Sequence, residues 1–459
     1  MAMADLSMRT SHSKVLAPSP PRRFLLGHWL ELKNDPIGLL LRSRSAFGDI
    51  VRLKVWWITA HLLAHPDHIQ HVLQKNQEGY DKDLEPLRRL HPVLGQGMVT
   101  ADGAAWQHQR DVARPAFQPK EVQSFGPVIT ASAADLAARW TRIAEDGQVI
   151  DMHREMMQIT LRIAGRALFG VDLEDEVADD SDLLNATMAA GLKRLRAIIA
   201  APIWLPTANN RKLRRSRRAL EQMIDRIIEK HVAGGHQRPD LLARLLDDHG
   251  AIDPEKRTAQ FYDEAITLIL AGHETTANGL AFTLHLLGRH PEIMANLREE
   301  ARAVLGSRPA EFGDLPKLAY TRMVLDEAMR LYPPVWIVDR NAREDDVIGG
   351  YHIPKGGLLM LSPYVMHRHP DFWPDAERFD PRRFEKSAAA VRPRHAYFPF
   401  SLGPRVCIGA NFALAETVMV LATLAARFDV EPLPGHVLKL DPNVTLRPKN
   451  GLPMTVRAA

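Results

Sequence analysis

The amino-acid sequence predicts a mainly α-helical protein with small β-sheets at its margin, the α+β class. Helical patterns dominate from Glu121 to Leu331, with Gly- and Pro-containing breaks at 234–240 and 306–316. Short strand-like segments flank this helical block, at 50–64 and again at 347–361. Because strands and helices do not alternate along the chain, a doubly wound parallel sheet is not expected.

The composition is that of an ordinary globular protein, with 46% hydrophobic and 25% charged residues among 459. The formal net charge of +4 is too small a bias to indicate nucleic-acid binding. No apolar run is long enough to span a bilayer, and the N-terminal residues lack the apolar centre of a secretory signal. We therefore predict a cytoplasmic monomer with a flexible arm at 1–24 and a single domain over 25–459.

The only cysteine of the chain, Cys407, lies in the segment FPFSLGPRVCIG at 398–409. A lone cysteine forms no intramolecular disulfide and most often packs as a small hydrophobe. Here Gly403 and Gly409 predict a tight loop, and a following apolar stripe predicts a helix. The stripe consists of Ile408, Phe412, Ala415, Met419 and Ala422. Cys407 would then lie at a helix N-terminus, which favours a thiolate that either attacks a substrate or holds a metal.

A second informative segment, residues 263–292, predicts a helix of about 40 Å, because its only proline comes near its end. Its middle, AGHETT at 271–276, places polar side chains where a buried helix usually has apolar ones. Ala271 and Thr275 are four residues apart and share one face. They form either a notch for a small ligand or a kink in which Thr275 bonds back to the Ala271 carbonyl.

A third pattern concerns Glu327 and Arg330, three residues apart on a predicted helix and able to pair. Such pairs are usually solvated surface bridges that contribute little to stability. Arg378, in the Pro- and aromatic-rich segment 371–384, is the predicted second cation for Glu327. A carboxylate held by two guanidinium groups would be a structural lock rather than a catalytic group.

Together these segments resemble the motifs of the cytochrome P450 family. The segment FSLGPRVCIG resembles its haem-binding loop, F-x-x-G-x-R-x-C-x-G, and matches at Phe400, Gly403, Arg405, Cys407 and Gly409. AGHETT resembles the oxygen-activation motif, and Glu327 with Arg330 matches E-x-x-R, with Arg378 as the third member. The segment WQHQR at 106–110 resembles the W-x-x-x-R that reaches a haem propionate. Ala376 departs from a proline that the family often has in the loop around Arg378.

The resemblance implies a cytochrome P450 fold, with haem b held between the long distal helix and the proximal cysteine loop. Cys407 would ligate the iron, and Phe400 would lie against its proximal side. Gly403 and Gly409 would let backbone N–H groups approach the sulfur. The groups expected to bind the haem propionates are Trp106, Arg110, Arg340 and Arg405. On the distal side, O₂ would lie in the notch at Ala271, Thr275 would hold a proton-bearing water or the bound oxygen, and Glu274 would relay protons from solvent.

The function that this resemblance implies is an O₂-dependent haem-thiolate monooxygenase that hydroxylates or epoxidises a lipophilic substrate. No flavin or iron–sulfur region follows Cys407, so electrons from NAD(P)H are expected through a ferredoxin or flavodoxin and its reductase. Arg114 and Lys120 are candidates for the docking patch. A haem peroxygenase and a non-catalytic haem-binding protein are the alternatives. Arg88 and Arg89 suggest a fatty acid as substrate, with a terpenoid or a steroid next.

Overall fold

The computed structural model describes residues 15–21, 26–173, 190–191, 193–194, 197, 201–234 and 240–459. The α-helices in these ranges are α1 (Trp29–Asn34), α2 (Pro36–Phe47), α3 (Pro66–Gln70), α4 (Glu85–Arg88), α5 (His91–Leu94), α6 (Gly103–Ala113), α7 (Pro119–Ser124), α8 (Gly126–Asp146), α9 (Met152–Ala164), α10 (Ala208–Ala233), α11 (Leu241–His249), α12 (Ala259–Leu287), α13 (Pro291–Leu305), α14 (Ala319–Leu331), α15 (Pro363–Met366), α16 (Lys386–Ala390) and α17 (Ala410–Ala425). The predicted mainly α-helical class is confirmed.

The strands in the described part of the chain form four small sheets. Their bounds are β1 (Ile50–Val55), β2 (Ile58–Leu63), β3 (Tyr80–Asp81), β4 (Val149–Asp151), β5 (Val338–Ala342), β6 (Asp346–Ile348), β7 (Tyr351–Ile353), β8 (Leu358–Leu361), β9 (Phe428–Pro432), β10 (Leu440–Pro442), β11 (Leu446–Pro448) and β12 (Pro453–Ala458). The largest sheet has the order β1-β2-β8-β5-β3, and only β2 and β8 run parallel in it. The others are β4-β12-β9, β6-β7 and β10-β11.

Helix α12 runs through the middle of the molecule. It has 29 residues and therefore spans about 43 Å. The Thr258 side chain caps its N-terminus by accepting a hydrogen bond from the Phe261 N–H, and Gly288 follows its last turn. Most of its positions are buried, and α9, α10, α14 and α17 pack against it. The helix remains continuous through AGHETT, so the polar residues there do not break it.

The helix after Cys407 forms as predicted but begins at Ala410, with Gly409 as its N-cap. Four members of the predicted stripe are buried on it, namely Phe412, Ala415, Met419 and Ala422. Ile408 precedes the helix and is half-buried. Helix α8 lies alongside, and the rings of Phe125 and Phe412 pack edge to face with centroids 5.5 Å apart.

Part of the segment predicted as an arm lies outside the described residues, namely 1–14 and 22–25. Residues 15–21 contact the large sheet and its neighbours. The Arg52 N–H donates to the Pro18 carbonyl over 2.8 Å, and the His352 N–H donates to the Val15 carbonyl over the same distance. The boundary of the arm at residue 24 stays a prediction. Among the described helices, none is both long and apolar enough to cross a membrane.

Candidate active site

Cys407 lies in a tight loop that backbone hydrogen bonds define. Its N–H donates to the Phe400 carbonyl over 2.9 Å, and the Ser401 N–H donates to the Phe398 carbonyl over 3.0 Å. The Gly409 N–H reaches the Cys407 sulfur, as expected for the residue that begins α17. The Phe400 side chain is half-buried and packs against the main hydrophobic core.

Cys407 has an exposed surface, although many protein atoms lie around its thiol. Burial raises the pKa of this thiol, while the Gly409 N–H and the Arg110 guanidinium oppose the rise. At Cys407, burial thus outweighs the two groups that favour a thiolate. A coordinated metal cation deprotonates a thiol outright, so a metal-ligand role fits this environment better than a free nucleophile.

Gly403 and Gly409 serve different purposes. Gly403 has φ +72°, and a Cβ there would lie 1.8 Å from the Leu73 carbonyl oxygen. Only glycine allows the loop to approach this backbone so closely. At Gly409 a Cβ would make ordinary contact with Phe117 at 3.5 Å, so the contribution of Gly409 is its N–H to the sulfur. The structure thus gives Gly403 a packing role. That its backbone N–H also approaches the sulfur stays a prediction.

The predicted propionate-binding side chains lie together. The Arg405 guanidinium lies 4.2 Å from the Trp106 ring centroid, and the Arg110 guanidinium lies 5.7 Å from the same ring. Arg405 also pairs with Asp102 and donates to the Ala101 carbonyl over 3.0 Å. Arg340, on β5, is close enough to Arg405 that the two cations repel, and this repulsion with burial lowers the pKa of Arg340 to about 10.

Sequence reasoning missed a fourth cation, Lys82. It follows β3, the edge strand that pairs with β5, so the sheet brings it toward Arg340. Burial and the charges of Arg340 and Arg405 lower its pKa to about 7. No motif spacing connects positions 82, 340 and 405 in the sequence, so only the strand pairing reveals the cluster.

This cluster fits a dianionic ligand. Arg340 is 6% exposed, and among the described residues its guanidinium donates to the carbonyl of Asp339, over 2.8 Å. Within the described part of the chain, neither Arg340 nor Arg110 has a carboxylate at ion-pair distance. The Asp339 and Asp102 carboxylates attract Arg340 from beyond ion-pair distance. The two carboxylates of a haem would add the close negative charge that Arg340 and Arg110 lack. The residues present therefore suit haem, with Cys407 as the sulfur ligand.

On the distal side, Ala271 is exposed although the neighbouring turns of α12 are mostly buried, so this face of the helix is open. The Thr275 hydroxyl donates to the Ala271 carbonyl over 2.9 Å, which is the back-bonded arrangement that the sequence left as one of two alternatives. The Thr275 oxygen keeps its lone pairs free to accept a hydrogen bond. Glu274 points to another partner, since the Thr445 hydroxyl donates to its Oε1 over 2.6 Å.

The predicted lock exists, but its second cation is wrong. Glu327 and Arg330 are fully buried and form two hydrogen bonds, of 2.6 and 2.8 Å. The Arg378 side chain is 68% exposed and pairs with Asp380, and only its carbonyl oxygen contacts Arg330. The side chain beside Glu327 is Arg383, with its Nε 3.4 Å from Glu327 Oε1.

The segment PRRF at 381–384 explains this correction. It keeps a proline two residues before the arginine, whereas the loop around Arg378 has Ala376 at that place. The sequence therefore contained the signal for Arg383, because the departure at Ala376 marks Arg378 as the arginine outside the family pattern. The lock itself is better satisfied than predicted, because the Asp380 N–H also donates to Glu327, over 2.9 Å.

Comparison with known proteins agrees with this geometry. The sequence profile of the cytochrome P450 family matches residues 17–454. Cyclooctat-9-en-7-ol 5-monooxygenase of Streptomyces melanosporofaciens is 33% identical over 418 residues, which cover 90% of this chain and 89% of that protein. Pentalenene oxygenase of Streptomyces avermitilis is 32% identical over 425 residues, covering 92% and 93%. Human cytochrome P450 4F8 is 30% identical over 421 residues, covering 85% and 79%.

The family profile spans nearly the whole chain, and relatives above 30% identity are covered over most of their length. The predicted haem-thiolate monooxygenase class is confirmed by these matches. The chain belongs to the cytochrome P450 family.

Proposed function

We propose that this monooxygenase hydroxylates or epoxidises a neutral lipophilic substrate of terpenoid type, with Glu274 relaying protons to the notch at Thr275. The choice of substrate rests on the ion pairs of Arg88 and Arg89, the two arginines that the sequence suggests as anchors for a fatty-acid carboxylate. Arg88 Nε donates to Asp83 over 2.6 Å, and Arg89 pairs with Glu85 at 2.7 Å. Both guanidinium groups are thus held by carboxylates of their own segment, and the Arg88 side chain is 56% exposed to water, which does not favour either arginine as an anchor for a ligand carboxylate.

The names of two relatives support the same class, since cyclooctat-9-en-7-ol and pentalenene are terpenoids. We therefore favour a terpenoid substrate over the fatty acid that the sequence suggests. Helix α12 carries apolar side chains next to the notch, with Leu270 directly before Ala271 and Ile266 just over one turn before it. Apolar surroundings of this kind favour the binding of an apolar substrate over that of a charged one.

Each site residue has a role that its contacts support. Haem, when bound, supplies the oxidising chemistry of the family. Cys407 would provide the sulfur ligand, while Lys82, Arg110, Arg340 and Arg405 would bind the propionates. The Thr275 oxygen, whose proton is donated to Ala271, would accept a hydrogen bond in the notch. Glu274 would pass protons into the same place, and the apolar residues of α12 would exclude bulk water.

For the electron donor we propose a ferredoxin or flavodoxin, with NAD(P)H as the ultimate reductant. A groove on the side of α17 supports this choice. It is lined by apolar side chains together with Lys120 and Arg322. Lys120 is exposed, whereas Arg114, the other predicted docking residue, already pairs with Asp111 at 3.1 Å. Arg322 pairs with Asp326 at 2.9 Å, so the exposed cation of the groove is Lys120, which would suit an acidic small electron carrier beside the helix that follows Cys407.

The substrate proposal predicts the outcome of a binding comparison. A neutral terpenoid alcohol should shift the haem Soret band on titration, whereas a long-chain fatty acid should bind no more tightly than its methyl ester. Arg88→Ala should leave all three affinities within about twofold, because Arg88 lies on Asp83 rather than on the ligand. A fatty acid that binds at least tenfold more tightly than its ester, with loss of this preference in Arg88→Ala, would restore the carboxylate anchor.

The reaction itself is tested by the source of oxidising equivalents. With a surrogate ferredoxin and reductase, NAD(P)H and O₂ should give oxygenated product, and peroxide alone should give much less. Efficient turnover with peroxide alone would assign the chain to the peroxygenases. No product from either route, despite bound haem, would favour a non-catalytic haem-binding protein.

Thr275→Ala should uncouple the reaction. The substitution keeps the helix but removes the hydroxyl oxygen in the notch, so product per NAD(P)H should fall by about tenfold while peroxide rises. NAD(P)H consumption, product and peroxide are measured together. Thr276→Ala is the matched control, because its neighbouring hydroxyl also bonds back along the helix, to the Gly272 carbonyl over 3.4 Å, and its side chain is buried. Equal coupling in the two variants would show that the Thr275 hydroxyl only bonds back to its own helix and has no part in the reaction.

A further inference from the structure

Three hydrogen-bonded side chains extend from Glu274 away from the notch. The Thr445 hydroxyl donates to Glu274 Oε1 over 2.6 Å, and Asn278 Nδ2 lies 3.4 Å from the Thr445 oxygen. His153 Nε2 lies 2.9 Å from Asn278 Oδ1. When His153 carries its proton on Nε2, each group donates to the next, and the series ends on the Glu274 carboxylate.

The members of this series come from three separate elements. Glu274 and Asn278 are one turn apart on α12, His153 lies at the start of α9, and Thr445 lies in the turn between β10 and β11. Asn278 is fully buried and Thr445 is 7% exposed. A buried amide that lost its partners would cost about 1–3 kcal/mol, so the three elements are bound to one arrangement of polar groups.

The two oxygens of Glu274 have different surroundings. Oε1 accepts the Thr445 hydroxyl, whereas Oε2 has no hydrogen-bond partner among the described residues. The side chain is half-buried, so Oε2 is not sealed away from water. A carboxylate with one oxygen held and the other open is oriented before it exchanges a proton, and orientation of this kind lowers the entropic cost of the step.

We propose that His153, Asn278 and Thr445 are positioning residues for Glu274, which hold Oε1 so that Oε2 exchanges protons with the oxygen-binding notch. This inference rests on the proposed role of Glu274. It adds the residues that fix its carboxylate, two of which lie far from AGHETT in the sequence. His153 begins the series and is the most accessible of the three side chains. Substituting it should therefore interrupt the series with little loss of core packing.

The charges around His153 provide a direct test of the connection. Burial lowers the pKa of His153, and the Arg447 charge adds to this effect. The hydrogen bond to Asn278 and the carboxylates of Asp151 and Glu274 oppose it. Removing the Glu274 charge should therefore lower the pKa of His153 further, because one of the groups that favour the imidazolium is lost.

The first experiment measures this pKa without turnover. Histidine ring signals are titrated by NMR in the ferrous carbon monoxide form of the holoenzyme, which is diamagnetic, with His153→Gln identifying the signal. In Glu274→Gln the pKa of His153 should be lower than in the wild type. An unchanged pKa would overturn the proposal, since it would show that Glu274 and His153 do not sense each other.

The second experiment compares two replacements of His153. His153→Leu removes the donor to Asn278, and product per NAD(P)H should fall by roughly threefold or more. His153→Gln retains an N–H that reaches the same oxygen and should recover most of the coupling. A merely structural role would not distinguish a donor from a non-donor in this way, provided that both variants unfold at similar temperatures.

His395→Leu is the matched control, because His395 is also half-buried and lies 2.7 Å from a side-chain amide oxygen, that of Gln74. Its coupling should equal that of the wild type. A similar loss in His395→Leu, or equal losses in both His153 variants, would overturn the positioning role. An absence of NAD(P)H-driven turnover in the wild type would instead contradict the proposed function, while the NMR comparison would still decide whether the two side chains are connected.

Discussion

Replacing Cys407 with histidine should abolish NAD(P)H-driven oxygenation and the spectral signature of a thiolate ligand. In the wild type, the reduced protein with carbon monoxide should absorb at the Soret position characteristic of thiolate-ligated haem. A neutral imidazole donates less electron density to iron than a thiolate, so both the band and the monooxygenase activity should disappear. Haem content is measured in parallel, because the propionate cations remain and should still bind the group.

The environment of Cys407 makes this prediction specific to the sulfur. Burial raises the pKa of the thiol, so the thiolate depends on the bound iron for its charge. The control is Val406→Ala, since Val406 is the exposed neighbour of Cys407 in the same loop. It should retain the thiolate band and the turnover. Retention of that band in Cys407→His would show that another group ligates the iron.

The sequence predicted those parts of the fold that depend on local periodicity. The long helix over 263–292 and the helix after Cys407 follow from their apolar spacing, and both occur with ends shifted by a few residues. Boundaries shift because caps decide them, and the cap of α12 is Thr258, five residues before the predicted start. The pairing order of the large sheet was not predictable, because β5 and β3 are joined across most of the chain.

The candidate site shows the same division. Cys407, Glu274 and Thr275 carry motif spacing and could be found without coordinates. Lys82 could not, because the strand pairing alone brings it to Arg340 and Arg405. His153 and Thr445 likewise have no motif, and they reach Glu274 through contacts between α9, α12 and the β10–β11 turn.

The error at Arg378 has a definite physical origin. Both Arg378 and Arg383 occur in a loop rich in proline and aromatic residues, so composition alone does not separate them. In the fold, the 3₁₀ turn at Pro381–Phe384 packs on α14 and brings Arg383 to Glu327. Arg378 precedes this turn, and its guanidinium is exposed. The two arginines therefore form a natural pair of test and control for the lock.

Glu327→Ala should prevent the protein from retaining haem and should destabilise the fold by about 3–5 kcal/mol, the cost of breaking a buried ion pair from one side. Arg330 is fully buried and would keep two donors, Nε and one Nη, without their carboxylate. Its remaining contacts, to the carbonyls of His367 and Arg378, carry no full negative charge. Denaturant unfolding and haem content measure the loss, and Glu327→Gln shows how much of it comes from charge.

The arginine variants decide how this lock is built. Arg383→Leu should be clearly less stable than the wild type, because it removes the second cation beside Glu327 and the donor to the Asp375 carbonyl. Arg378→Ala should change the free energy of unfolding by less than about 0.5 kcal/mol, as is usual for an exposed side chain. Burial raises the pKa of Glu327 while Arg330 and Arg383 hold it down, so the carboxylate depends on both cations. Wild-type stability and haem content in Glu327→Ala, or a larger loss in Arg378→Ala than in Arg383→Leu, would contradict this arrangement.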